Sequence, residues 1–142
     1  MQLLRIRTPI RGVMSVIAVV APLTVGCMGA FDIVVPSKSL PGNFRLIRFE
    51  GENYYIEQLG REEAGGVLKG TVDQLGWSAN YIIGRRNAIS SALQSGWMII
   101  GVEGNEIKGP FTDAEFAEAV RQDSSLASIK IWPVDEAWEK LG

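Results

Sequence analysis

The side chains that could do chemistry in this 142-residue chain are restricted in type, because it has no histidine and Cys27 is its only cysteine. Without histidine the chain lacks the commonest general base, the imidazole metal ligands and every histidine-containing catalytic triad. A single thiol can form neither an internal disulfide nor a metal site of several thiolates. We therefore expect no metal site and no cofactor.

Carboxylate pairs and lysine-based nucleophiles are the catalytic options that remain. The acidic pairs are Glu50 with Glu52, Glu62 with Glu63, and Asp113 with Glu115. Helix capping explains the last pair, and the other two lie in predicted turns, where solvated acids are ordinary. Lys69 and Lys108 each stand beside a glycine, yet no Gly-x-Ser-x-Gly nucleophile elbow occurs. The sequence therefore favours a protein that is not an enzyme, with a carboxylate-dependent hydrolase as a less favoured alternative.

Two groups of residues are candidates for binding rather than catalysis. Arg85 and Arg86 could grip a carboxylate or phosphate, because guanidinium forks match two oxygens at once. The competing interpretation, which we favour, is a solvated strand end. An aromatic binding face could also form, although core packing explains most aromatic residues in a small domain. The tryptophans concerned are Trp77, Trp97, Trp132 and Trp138.

Residues 1–27 contain the three parts of a secretory signal in their usual order. Three arginines supply the positive charge, residues 13–25 form the apolar run, and the small residue Gly26 stands directly before Cys27. A segment of this kind directs the rest of the chain out of the cytoplasm.

Residues 24–27 resemble the lipobox of bacterial lipoproteins, with Thr24 where leucine is usual. The resemblance implies cleavage between Gly26 and Cys27 and attachment of a diacylglycerol to the Cys27 sulfur. Two or three acyl chains give stable anchoring. An ordinary cleaved signal is one alternative, and an uncleaved anchor is another, because residues 12–31 carry no charge and are long enough to span a bilayer. All three interpretations place the domain outside the cytoplasm, at the cell membrane or the outer membrane.

The charge of the exported part limits its partners. The whole chain has a net charge of −2, and its leader holds Arg5, Arg7 and Arg11. Removing these leaves 11 of the 14 basic residues against all 16 acidic ones, a net charge of −5. Such a domain has no basic stripe to neutralise phosphates, so we expect no nucleic-acid partner. Net charge does not favour attachment to anionic lipid either.

The predicted organisation has three parts. Residues 1–26 form the signal peptide, residues 27–43 the lipidated N-terminus and tether, and residues 44–142 one globular domain. Glycine, proline and serine make residues 27–43 suitable for a tether, within which residues 31–35 are apolar enough for an edge strand. Cleavage leaves 116 of the 142 residues, which is enough for one hydrophobic core.

β-branched and aromatic runs predict a meander of antiparallel hairpins. The predicted strands are residues 44–50, 54–59, 67–75, 81–87, 97–103, 106–108 and 126–132. Residues 61–66 are predicted as a loop, and residues 88–95 as a loop or one helical turn. Gly104 and Asn105 suit a type II′ turn, because glycine supplies the positive φ at the first turn position.

The clearest helix signal lies at Thr112 and Glu115, which have the spacing of a capping box. It predicts a helix over residues 113–121, and a second, short helix is predicted over residues 135–141. The fold class that follows is α+β, a small antiparallel sheet with one packed helix and a short C-terminal helix.

Several segments of the domain are similar to small bacterial lipoproteins of a family without assigned function. They are Gly76 with Trp77, residues 80–83, residues 96–100 and residues 109–116. The resemblance implies a compact α+β fold on a lipid tether and brings no catalytic residues. We expect a non-enzymatic binding or accessory module that contacts an envelope protein or another envelope component. A structural or protective envelope protein, of inhibitor or immunity type, is the alternative.

Overall fold

The computed structural model describes residues 35–61 and 66–142. Within these ranges eight strands form two antiparallel sheets and are accompanied by three helices, so the predicted α+β class is confirmed. The strands are β1 (Ser37–Ser39), β2 (Phe44–Phe49), β3 (Asn53–Gln58), β4 (Thr71–Trp77), β5 (Tyr81–Asn87), β6 (Gly96–Gly101), β7 (Glu106–Phe111) and β8 (Ile131–Pro133). The helices are α1 (Asp113–Gln122), α2 (Ser124–Ala127) and α3 (Val134–Lys140).

The smaller sheet contains β1, β2 and β3 in that order. Its β2–β3 hairpin is the predicted one, with Leu46 opposite Ile56. Gly51 in the turn has a φ of 77°, in the left-handed region that glycine adopts without a Cβ clash. β1 pairs with β2, and Leu40 after it is only 5% exposed, so part of the segment interpreted as a tether packs with the domain.

The larger sheet has the strand order β7-β6-β5-β4-β8. The strands β4 to β7 form the predicted meander, and β8 joins its far edge after the chain has passed through α1 and α2. A bulge between Val72 and Gln74 interrupts the pairing of β4 with β5. The predicted strands thus divide between two sheets.

The five-stranded sheet lies in the middle of the domain and is covered on both faces. Ile82 and Ile100 pack against the three-stranded sheet and α3 in one core cluster. Ile83 and Ile99 pack against α1 and α2 in another. A strand that is buried on both faces reads as a continuous apolar run, which explains residues 97–100 of β6. Each such isoleucine stabilises the fold by about 1.5–3 kcal/mol.

Helix α1 begins at the predicted capping box. The backbone N–H of Glu115 donates to Thr112 Oγ1 at 3.3 Å, and the backbone N–H of Thr112 donates to Glu115 Oε2 at 2.8 Å. Phe116 is buried and its ring stacks on Trp97 at a centroid distance of 4.4 Å. The capping box fixes the start of α1, and this aromatic stack fixes which side of it faces the sheet.

Two predicted strands begin several residues before the corresponding strands of the structure. The strand over residues 67–75 begins only at Thr71, because the preceding residues form a turn that places Leu68 in the core. The strand predicted over residues 126–132 begins only at Ile131, so the prediction is wrong for residues 126–130. Asp123 accepts a hydrogen bond from the backbone N–H of Ser125 and starts the short helix α2 there.

The predicted type II′ turn at Gly104 and Asn105 is also wrong. The positive φ lies at Asn105, at 52°, and the turn spans residues 102–105 between β6 and β7. Longer hairpin loops of this kind are built around a different turn geometry. The predicted loop over residues 61–66 is described only at its two ends, and the edge strand predicted over residues 31–35 lies outside the described residues apart from Val35.

Candidate functional site

Gly26 and Cys27, the predicted cleavage and lipidation residues, lie outside the described residues, as do Glu62 and Glu63. In the part of the chain that the structure describes, no helix has the length and apolar character needed to cross a bilayer. The same residues contain no group of three or more histidine, cysteine, aspartate or glutamate side chains placed to hold a metal ion.

Arg85 and Arg86 lie on opposite faces of β5, because successive side chains of a strand alternate. Arg86 is only 8% exposed, and its guanidinium donates from Nη1 to the Leu68 carbonyl at 2.8 Å and from Nε to the Gln94 carbonyl at 3.0 Å. These bonds hold the turn before β4 and the loop after β5 against the sheet. The two arginines therefore form no joint ligand clamp, and Arg86 is not a solvated strand end.

Arg85 instead lies against Trp97, with its guanidinium carbon 5.9 Å from the centre of the ring. The indole N–H of Trp97 donates to Asp113 Oδ1 at 2.7 Å. Trp97 therefore connects β6 to the first turn of α1, and the Asp113 carboxylate has a structural partner.

The second acid of that pair, Glu115, also has a structural role. The backbone N–H and the hydroxyl of Thr112 hold the pKa of the Glu115 carboxyl below its ordinary value of 4.5. Glu50 and Glu52 are exposed in the turn between β2 and β3. The described acidic pairs thus cap a helix or lie in a solvated turn, and they do not face each other across a cleft.

A groove of about 560 Å³ lies between the sheet face of β5–β7 and the helices α1 and α2. Buried Ile99 and Leu126 form its floor together with half-buried Tyr81 and Phe111. Its polar lining is Asn80, Glu103, Glu106, Lys108, Gln122, Asp123 and Ser125. An apolar floor with a polar rim, in this range of volume, is typical of binding sites.

The groove has an excess of negative charge, since its lining holds three carboxylates and one ammonium. Lys108 Nζ lies 3.4 Å from Glu106 Oε2, and both side chains are more than half exposed, so this ion pair is weak. The Asp123 carboxylate accepts hydrogen bonds from the Ser125 backbone and the Tyr81 hydroxyl, which hold its pKa below the ordinary 3.8. It therefore stays charged to a lower pH than an ordinary aspartate does.

The four tryptophans divide into two buried and two surface residues. Trp97 and Trp138 belong to the two core clusters, as the core-packing interpretation predicts. Trp77 and Trp132 are only half-buried, and their ring centroids lie 5.1 Å apart. Trp77 and Trp132 are therefore partly exposed to solvent.

Tyr54 also has a perturbed pKa, the third among the titratable groups that the structure describes. Burial, and then a hydrogen bond with Asp135, raise the pKa of its hydroxyl above 10.0. The ring also packs against Trp138 at a centroid distance of 5.7 Å. Tyr54 thus connects the three-stranded sheet to α3 inside the core and faces no cleft.

Sequence reasoning missed the groove because its lining comes from three separated stretches. They are residues 80–81, 99–111 and 119–126. These stretches meet only because α1 and α2 return across the sheet. No protein-family model, curated protein or solved structure matched the chain when it was compared with them. The function is therefore inferred from the residues and their geometry.

Proposed function

We propose that this chain is a lipoprotein held outside the cytoplasm, at the cell membrane or the outer membrane, by acyl chains on Cys27. Its domain is a non-enzymatic binding module, and its partner binds in the groove between the five-stranded sheet and helices α1 and α2. The leader and the lipobox resemblance support the tether. The groove, with its apolar floor and charged rim, is the single observation that carries the binding role.

The lining indicates the chemistry of the partner. Ile99, Leu126 and Phe111 offer an apolar surface, which favours an apolar side chain in contact with the floor. Glu103 and Asp123 add negative charge that Lys108 does not balance, which favours a positively charged neighbour. A short basic and apolar segment of an envelope protein satisfies both requirements.

The positions of the carboxylates favour binding over hydrolysis. A carboxylate hydrolase needs two acids in one cleft whose pKa values are pushed apart. Asp123 starts helix α2, Glu106 pairs with Lys108, and the pKa of Asp123 is lowered rather than raised. Asp123 therefore does not suit the role of an acid that is held protonated for proton donation.

Site-specific photo-crosslinking in living cells tests the groove directly. Gln122 and Ala117 are both exposed on α1, but only Gln122 lines the groove. We expect p-benzoylphenylalanine in place of Gln122 to give a discrete adduct with one envelope protein, and the same group in place of Ala117 to give none.

A variant that fills the groove provides the control. Ser125 is exposed at the rim, and its backbone N–H, which any substitution keeps, makes the main hydrogen bond to Asp123, with a smaller contribution from its hydroxyl. Ser125→Trp should therefore keep the fold and remove the adduct formed from position 122. Identical adducts from both positions, or an adduct that survives Ser125→Trp, would contradict binding in the groove.

A further inference from the structure

The two half-buried tryptophans form a surface that the proposed groove does not use. We call it the tryptophan–lysine surface, and it consists of Trp77, Trp132, Lys130 and Lys140. The Trp132 ring has Lys130 Nζ at 5.7 Å and Lys140 Nζ at 5.5 Å from its centre, and Trp77 packs beside it. Two ammonium groups and two indole rings therefore share one patch.

The lysines of this patch are not paired with carboxylates of the part of the chain that the structure describes. Among the described residues neither Lys130 nor Lys140 forms an ion pair, and neither Trp77 nor Trp132 donates its indole N–H to another protein group. Both lysines are exposed. Two unpaired ammonium groups and two free indole donors thus lie together on a domain whose net charge is −5, so net charge alone conceals them.

The tryptophan–lysine surface adjoins the place where the chain enters the domain. Lys38 in β1 donates to the Trp138 carbonyl at 2.6 Å, at the C-terminal end of α3. Lys140, two residues further on, lies over Trp132. The nine Cα–Cα steps from Cys27 to Pro36 span at most about 30 Å when the chain is extended. A lipid on Cys27 would therefore keep this surface close to the bilayer.

We propose that the tryptophan–lysine surface rests on the headgroup region of a membrane that contains anionic phospholipids. This inference depends on the tether of the proposed function. Tryptophan favours the headgroup level because its ring is apolar and its N–H is polar. Lysine places its apolar stem along such a surface and its ammonium among the phosphates, where each lysine strengthens the contact about fivefold.

This orientation leaves the groove accessible. Trp77 and Trp132 pack against the core cluster on the sheet face that looks toward the three-stranded sheet and α3. The groove lies on the opposite face, under α1 and α2. A domain that rests on its tryptophan–lysine surface therefore turns its acidic groove away from the anionic lipid.

Tryptophan quenching on vesicles tests the contact. The full chain, extracted from the membrane, is reconstituted into vesicles of phosphatidylcholine and phosphatidylglycerol in equal parts, with bromine on the acyl carbons nearest the headgroup. We expect the bromines to quench tryptophan emission in these vesicles and to quench it much less in phosphatidylcholine alone. The charge-reversed variant Lys130→Glu/Lys140→Glu should lose the quenching.

A second charge-reversed variant distinguishes the effect of the tryptophan–lysine surface from the effect of net charge. Lys69→Glu/Arg121→Glu changes the net charge by the same amount at exposed positions elsewhere, and it should retain the quenching. Equal quenching of both variants, or chains that float with the vesicles without quenching, would overturn the inference while leaving the tether intact. A surface that binds an acidic protein instead would give this unquenched result. Chains that do not float at all would overturn the tether, and the inference with it.

Discussion

Replacing Arg86 with methionine should destabilise the domain strongly, because it removes the guanidinium and keeps most of the apolar stem. The lost hydrogen bonds reach two backbone carbonyls, those of Leu68 and Gln94. A hydrogen bond to a charged group contributes about 1.5–3 kcal/mol, so the two acceptors together account for about 3–6 kcal/mol. Removing a buried charge that has no carboxylate partner offsets part of this loss. We expect a net decrease of about 3 kcal/mol in the free energy of unfolding.

Urea denaturation of Arg86→Met and Arg85→Met side by side measures the effect. Arg85 is the adjacent residue on the other face, and its contact with Trp97 is worth about 0.5–1 kcal/mol. With ordinary urea dependence, a loss of 3 kcal/mol lowers the midpoint by about 1–3 M. A loss below about 1 kcal/mol for Arg86→Met, or equal losses for both variants, would refute the structural role assigned to Arg86.

Two further predictions concern glycine and the helix caps. Gly66→Ala should lower the free energy of unfolding more than Gly51→Ala does. Both positions have positive φ, which alone costs a residue with a side chain about 1–2 kcal/mol, but only at Gly66 would a Cβ collide with a backbone oxygen. Equal urea midpoints for the two variants would contradict the collision. Thr112→Val should lower the free energy of unfolding by about 1 kcal/mol at neutral pH, because it removes the N-cap hydroxyl. The pKa values of Glu115 and Asp123 are lowered in the folded state, so their stabilisation is present above their ordinary values of 4.5 and 3.8 and is lost as the pH falls through the folded values. The difference in stability between the natural chain and Thr112→Val should therefore shrink as the pH falls below 4.5, and a constant difference would count against the capping box as its source.

The parts of the fold that could be predicted are those specified locally. The capping box at Thr112 predicts that α1 begins at the next residue, as it does, and Gly51 with its flanking strands specifies the β2–β3 hairpin. By contrast, Leu126 begins an apolar run that predicts a strand, yet it lies in helix α2. Asp123, which precedes that run, caps the helix. Leu68 is placed in a turn by packing between the two sheets, which no local pattern specifies.

The candidate site depends still more on tertiary structure. The sequence places Arg85 and Arg86 side by side, but the strand directs them to opposite faces, where one is buried and the other lies on Trp97. The groove brings Tyr81 and Asp123 into contact from distant positions, and only the path of α1 and α2 across the sheet explains this. The side-chain types therefore indicate which chemistry is available. Where the groove forms depends on how helices α1 and α2 pack on the five-stranded sheet.

The central claim, a binding module tethered through Cys27, is tested most directly by the intact mass of the chain extracted from bacterial membranes. We predict a chain that lacks residues 1–26 and carries acyl mass on Cys27, while Cys27→Ala keeps its leader and carries none. A natural chain that retains residues 1–26 and has no acyl mass on Cys27 would contradict the account.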